Sequence, residues 1–194
     1  MDIREKDIAG LLEIVPTVYQ DDRGYFLETY HTDRFRSSGI DQNFVQINQS
    51  FSKKGVLRGL HFQHEPYQQG KLVSVIKGKV LDVAVDLRPG SSTYGQHAKI
   101  IVDSEQHNLV YVPEGFAHGF VALEDTIFSY QCTNLYHQAA DSGVRWNDPD
   151  LNIDWELDHY DIQNPIISEK DQLLPSFAEY RQQRSQILEN KADH

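Results

Sequence analysis

Apolar and polar residues alternate along LDVAVDL, with Leu81, Val83, Val85 and Leu87 on one side and Asp82, Ala84 and Asp86 on the other. A period of two predicts a half-buried strand. Pro89-Gly90-Ser91-Ser92 then predicts a turn. KLVSVI before this strand and NLVYVP after it read as further strands with mostly buried faces. Turn signals recur at Gly55, Lys77-Gly78, Pro89-Gly90 and Pro113-Glu114-Gly115. Short strands at this spacing predict an all-β chain, an antiparallel sandwich or barrel. Helix is expected only in the tail, about 175–190, which is rich in Glu, Gln, Arg and Leu. With no repeat, linker or low-complexity run, residues 1–194 are read as one domain.

One strand has an unusual pattern. In FVQINQS, Gln46, Asn48 and Ser50 share a face, while Val45 and Ile47 share the opposite one. A polar face ordinarily meets water. The alternative is a barrel interior lined with hydrogen-bonding groups for a polar ligand. The pattern leaves both open.

Composition narrows the class. A length of 194 residues suits one well-buried core. The formal charge of −11 argues against nucleic acid, whose binding depends on neutralising phosphates, but leaves room for a small nucleotide held by a few local cations. The lone Cys132 has no internal disulfide partner, which suits a reducing compartment. No apolar run approaches the length of a membrane span. MDIREKDIAGLLEIVP carries acidic residues early and no apolar core ahead of a cleavage site, so no signal peptide is expected. The expected setting is the cytoplasm.

The segment RGLHFQHEPYQQGK, from Arg58 to Lys71, concentrates the chemistry: a fixed cation at each end, two histidines and three glutamines. His61 and Gln63 share a face by alternation. Arg58 points the other way in a regular strand, unless Gly59 hosts a bulge that re-aims it. A metal site of the His-x-His type with a distant third histidine is incomplete. Gln63 stands where the second imidazole belongs, and His64 falls on the opposite face from His61. His118, in PEGFAHGF, supplies the distant partner. The set is metal-like but broken, and no metal is expected.

The pattern GxHxQ followed by PxGxxH resembles the cupin superfamily. DDRGYFLETY, FVQINQSFSKKGVLRGLHFQ, QGKLVSVIKGKVLDVAVDLRPGSSTYG, VPEGFAHGF, YQCTNLYH, WNDPDLNIDW and SEKD occur in this order. Together, from about Val18 to Pro175, they resemble the dTDP-4-dehydrorhamnose 3,5-epimerase family, metal-free cupins of sugar-nucleotide metabolism.

This resemblance implies a cupin-type jelly roll with a short C-terminal helix. It implies a dTDP-4-keto-6-deoxyhexose substrate, inverted at C3 and C5 on the way to dTDP-L-rhamnose, with no cofactor. Both carbons flank the ketone, so each carries an acidified hydrogen. Inversion needs a base on one face, an acid on the other and a stabilised enolate between them. His61 matches the base, Asp171 its buried carboxylate partner, Tyr130 the acid, and Lys71 the group that stabilises charge at the C4 oxygen. His118 matches a further active-site position that binds and polarises. Arg23, Arg58 and Lys170 match positions that hold the nucleotide and its diphosphate; Tyr136 matches an aromatic stacked on thymine. Gln46, Ile47 and Asn48 match a binding strand. Arg23, Phe26 and Glu28 lie in an N-terminal segment that family members exchange across a homodimer.

Two departures stand out. Asp141, also matched to a binding position, replaces the Glu of many members, and WEL at 155–157 replaces the commoner Trp-Pro. Relatives that epimerise only C3 or only C5 use nearly the same residues. The motifs of 3,4-ketoisomerases fit less well. The intact His61, Lys71, Asp171 and Tyr130 favour the double epimerase. They also disfavour a non-catalytic binder, and Gln63 disfavours a metal-dependent oxygenase.

Overall fold

The strand expected around Leu81–Leu87 exists as Lys79–Asp86 (β8), but it is not half-buried: every residue after Lys79 is buried. Leu81, Val83 and Val85 pack in one apolar cluster with Leu60, Trp155, Phe177 and Tyr180. Val80 and Ala84 pack in another with Val73, Phe116, Phe120 and Phe128. The strand is covered on both faces because the chain after residue 144 folds back over the outer side. Alternation therefore separates two buried layers here, not core from solvent.

The computed structural model describes residues 1–192, so the last two positions of the expected domain lie outside the described residues. The first sheet has six strands: Asp2–Glu5 (β1), Leu12–Val15 (β2), Leu109–Val112 (β10), Lys71–Lys77 (β7), Thr126–Cys132 (β12) and Gln46–Ser52 (β5), in that spatial order. The second has five: Asp141–Gly143 (β13), Leu57–Gln63 (β6), Phe116–Ala122 (β11), β8 and His97–Asp103 (β9). Neighbours within both sheets pair antiparallel. The two sheets enclose a shared core, giving the expected jelly roll. Val18–Asp21 (β3) and Gly24–Leu27 (β4) form a separate two-stranded hairpin.

The turn at Lys77-Gly78 shows how local chemistry sets the connections. Gly78 has φ 87°, and a Cβ there would lie 2.6 Å from the carbonyl oxygen of Asp125. Only glycine turns the chain so tightly between β7 and β8.

The expected tail helix is Phe177–Ala192 (α3). It is fastened at its start, where Asp148 accepts a hydrogen bond from the Phe177 N–H at 2.8 Å. Helix is not confined to the tail, however. Thr32–Ser37 (α1) places Phe35 in a third apolar cluster with Ile14, Ile40, Leu72 and Tyr111. Glu169–Gln172 (α2) is a single turn capped by Ser168, whose Oγ accepts from the Asp171 N–H at 3.1 Å. Among the described residues no helix is long and apolar enough to cross a membrane.

Candidate active site

The two sheets enclose a cavity of about 580 Å³ lined by Asn48 and Ser50 of β5, Arg58 and His61 of β6, Lys71 of β7, His118 of β11, Phe128 and Tyr130 of β12, and Lys170 and Asp171 of α2. This settles the two readings of FVQINQS in favour of the polar interior. Asn48 and Ser50 face the cavity, while Ile47 is 70% exposed and Phe51 57%. The ordinary order of a sheet is inverted at this strand. Ile47, expected at the binding strand, turns its side chain away from the cavity.

Arg58 and His61 stand three positions apart yet line the same cavity. The pairing of β6 with β11 explains this. His61 lies opposite His118 and Arg58 opposite Phe120, so Gly59 and Leu60 together face Gly119 alone. That extra residue is a β-bulge, and it restores Arg58 to the face of His61. Gly59 has φ 129°, and a Cβ there would sit 2.6 Å from the Cα of Gly119. The bulge is thus built on two glycines in close contact.

Asp171 is buried, and its Oδ1 lies 2.8 Å from His61 Nε2 while its Oδ2 accepts from the Gly59 N–H at 3.1 Å. Burial pushes the Asp171 carboxyl up. Hydrogen bonds from His61, Gly59 and Ser168 outweigh it and hold the group below the usual carboxylate range. An ionised Asp171 keeps the proton on Nε2 and leaves Nδ1 as the ring's acceptor. A second pair lies deeper: His118 Nε2 is 2.8 Å from Asp82 Oδ2, and both residues are buried. Asp82 was missed because it sat in the polar half of an alternating strand. The available signal was an acid in the middle of a strand, between Val and Leu residues on both sides and between glycine turns at Gly78 and Gly90.

The opposite wall carries different chemistry. Lys71 Nζ lies 5.9 Å from the centroid of the Tyr130 ring. Burial pushes the Lys71 ammonium down, with Cys132, Asp82 and Asp141 pulling partly the other way. Burial also pushes the Tyr130 phenol up, so it holds its proton at neutral pH. Both histidine–aspartate pairs centre on the five-stranded sheet; Lys71 and Tyr130 project from the six-stranded one. A proton acceptor and a proton donor therefore face each other across the cavity.

At the rim, Asp141 Oδ2 accepts from the Tyr136 hydroxyl at 3.1 Å and from the Lys170 ammonium. The Tyr136 N–H donates to Gln46 Oε1 at 2.9 Å, and Gln46 Nε2 donates to Asn48 Oδ1 at 3.0 Å. Gln63 has a different task from a ligand's. Its Nε2 donates to the carbonyls of Tyr67 and Leu135 at 2.6 and 3.2 Å, and its Oε1 accepts from the His137 N–H at 2.7 Å. It stitches two loops together. Among the described residues no three His, Cys, Asp or Glu side chains are grouped to hold a metal.

Arg23, Phe26 and Glu28 are not brought to this cavity. Arg23 is paired with Asp21 at 2.5 Å and its side chain is 90% exposed. Phe26 is 69% exposed, and Glu28 accepts from Arg34 at 2.8 Å. Arg23 and Phe26 line a separate hollow of the β3–β4 hairpin instead.

Comparison with known proteins follows the same lines. Residues 5–179 match the model of a family described as dTDP-4-dehydrorhamnose 3,5-epimerase. A dTDP-4-dehydrorhamnose 3,5-epimerase of Methanothermobacter thermautotrophicus is 52% identical over 165 residues, 84% of this chain and 88% of the relative. A Mycobacterium tuberculosis epimerase structure aligns with a TM-score of 0.90 at 39% identity, covering 94% of this chain and 92% of the other. A dTDP-6-deoxy-D-glucose-3,5-epimerase of Legionella pneumophila, solved in complex with dTDP-4-keto-L-rhamnose, aligns with a TM-score of 0.83 at 41% identity, covering 91% and 98%.

Proposed function

The chain belongs to the dTDP-4-dehydrorhamnose 3,5-epimerase family, and from that premise we propose how its cavity works. The protein is an isomerase that inverts C3 and C5 of dTDP-4-dehydro-6-deoxy-D-glucose, giving dTDP-4-dehydro-L-rhamnose. It is a cupin-like jelly roll acting as one domain, since both sheets furnish the same site.

His61 removes the proton next to the ketone, and Asp171 stabilises the imidazolium that results. Electron density moves to the C4 oxygen, where Lys71 meets it. An ammonium disfavoured by burial gains most when a negative charge forms beside it, so this contact strengthens as the enolate develops. Tyr130 then delivers its proton from the facing wall. His118, oriented by Asp82, polarises the sugar from the side of His61. The reaction moves protons only and calls for no redox cofactor. The observation that carries this reading is the placement of His61 and Tyr130 on opposite sheets of one cavity.

Arg58 and Lys170 hold the diphosphate, with bonding suited to phosphate oxygens. Gln46 and Asn48 bind the nucleotide, and Tyr136 stacks on thymine. Arg23, Phe26 and Glu28 complete the neighbour's site in a homodimer. The exposure of Arg23 and Phe26 outside the chain's own cavity and the outward apolar face of β5 support this reading. The buried lone Cys132 suits a cytoplasmic enzyme.

The test is incubation with the keto sugar nucleotide in deuterium oxide. Solvent deuterium should enter at both C3 and C5, with product of L-configuration at C5. Label at one carbon alone would reduce the protein to a single-centre epimerase, and none would make it a binder.

A further inference from the structure

Asp141 does not line the cavity, yet it touches two groups assigned above to the nucleotide. One carboxylate oxygen, Oδ2, accepts from both the Tyr136 hydroxyl and the Lys170 ammonium. The three residues come from separate stretches. Tyr136 lies in the irregular run after β12, and Lys170 sits on the single turn α2. Asp141 opens β13, a strand paired with β6 so that Asp141 lies opposite Gln63 and Gly143 opposite His61. Of the three, Asp141 alone is fixed by a sheet, and that sheet carries the base.

Stability does not explain the arrangement. The Tyr136 ring and Lys170 are both exposed, and an ion pair with one partner so exposed adds little to folding. Tyr136 is nevertheless held at two points, its backbone N–H by Gln46 and its hydroxyl by Asp141. That is the pattern of a side chain fixed in place before a ligand arrives.

We propose that Asp141 is a positioning residue that couples nucleobase recognition to diphosphate recognition, holding the Tyr136 ring and the Lys170 ammonium as one preorganised unit tied to the strand of His61. This rests on the epimerase reading and deepens it. The carboxylate also has an opposing effect, since it places negative charge beside a diphosphate. A ligand with both base and diphosphate gains from the preorganisation, whereas a bare diphosphate meets mainly the repulsion.

Calorimetric titration with thymidine diphosphate and with pyrophosphate separates these effects. Asp141→Asn should weaken thymidine diphosphate severalfold and leave pyrophosphate as tight or tighter. In turnover, KM should rise by more than kcat falls, and Asp141→Glu should restore the native pattern. Tyr136→Phe keeps the ring and removes only the hydroxyl. It should weaken thymidine diphosphate in the native background and change nothing in Asp141→Asn. A cycle of Tyr136→Phe and Lys170→Met, which leaves Asp141 in place, should be non-additive. Additive losses, or equal weakening of both ligands by Asp141→Asn, would overturn the coupling in a chain that still binds and turns over. A native chain that ignores thymidine diphosphate would overturn the functional reading and this inference together.

Discussion

Asp171 lies 110 positions from His61 in sequence and 2.8 Å from it in space, its second oxygen fastened to the Gly59 N–H of the same strand. The carboxylate fixes both the tautomer and the aim of the ring. Asp171→Asn keeps the shape and loses the charge, and it frees the tautomer. The expected result is a kcat lower by about 10²–10⁴-fold with little change in KM. Steady-state kinetics on the folded variant checks it, and a near-native kcat would remove Asp171 from the mechanism.

The same pair sets an acid limit. Asp171 is held below its ordinary value of 3.8 in the folded chain. A carboxyl lowered by folding contributes stability that is fully present above its unfolded value. That contribution is lost as pH falls through the folded value. The native chain's advantage from ionised Asp171, measured against Asp171→Asn by urea unfolding, should be constant from neutral pH to about 5 and shrink below about 4. A difference that grows on acidification would reverse the sign and sink the argument.

His61 and Tyr130 should fail differently. His61→Ala removes the acceptor, so deuterium uptake at both C3 and C5 should drop by at least about 10²-fold. Tyr130→Phe leaves abstraction intact and impairs return of the proton on the far face. Exchange should then outlast net inversion. Mass and NMR analysis of recovered sugar distinguishes the two, and full exchange in His61→Ala would dismiss His61 as the base.

Arg23 lies outside the cavity of its own chain, at the tip of the β3–β4 hairpin. If it serves a neighbour, Arg23→Ala and His61→Ala chains, each nearly inactive, should regain activity when mixed and allowed to exchange. One hybrid site then holds both native residues. Chains proven to exchange without any recovery would argue for a site made from one subunit.

Gly59 should tolerate no side chain. Its φ of 129° and the 2.6 Å approach of Gly119 Cα leave no space for a methyl group. Gly59→Ala should lose stability by at least about 1–3 kcal/mol from backbone strain, read as a lower urea midpoint. Activity should fall further than stability, because Arg58 and His61 move with the bulge.

Legibility in the sequence followed physical signals closely. Period-two runs and glycine turns located the strands, because both report backbone geometry directly. They did not report what covers each face. β8 read as half-buried because nothing local shows that Trp155, Phe177 and Tyr180 return to cover it. The polar face of β5 stayed ambiguous for the same reason. Helices α1 and α2, of 6 and 4 residues, are too short to show a helical period. Among the site residues, His61, Lys71, Tyr130 and His118 were named through long ordered motifs. Asp171 rested on resemblance alone, since a charge in SEKD looks like surface until the fold brings it to His61. Asp82 had no such help, and only its burial beside His118 gives it a role.

The bulge at Gly59 also bears on how such chains are aligned and edited. Before it Arg58, an even-numbered position of β6, lines the cavity; after it the odd-numbered His61 does. Deleting one residue there would keep the composition, the hydropathy and almost all of the length, and yet exchange inside for outside along half the strand. An alignment that places a gap at this point compares cavity-facing residues with buried outer ones, however high its score. In grafting this site onto another jelly roll, the unit to transfer is the spacing from Arg58 to His61 together with Gly119 opposite, because the motif's letters carry their meaning only in that phase.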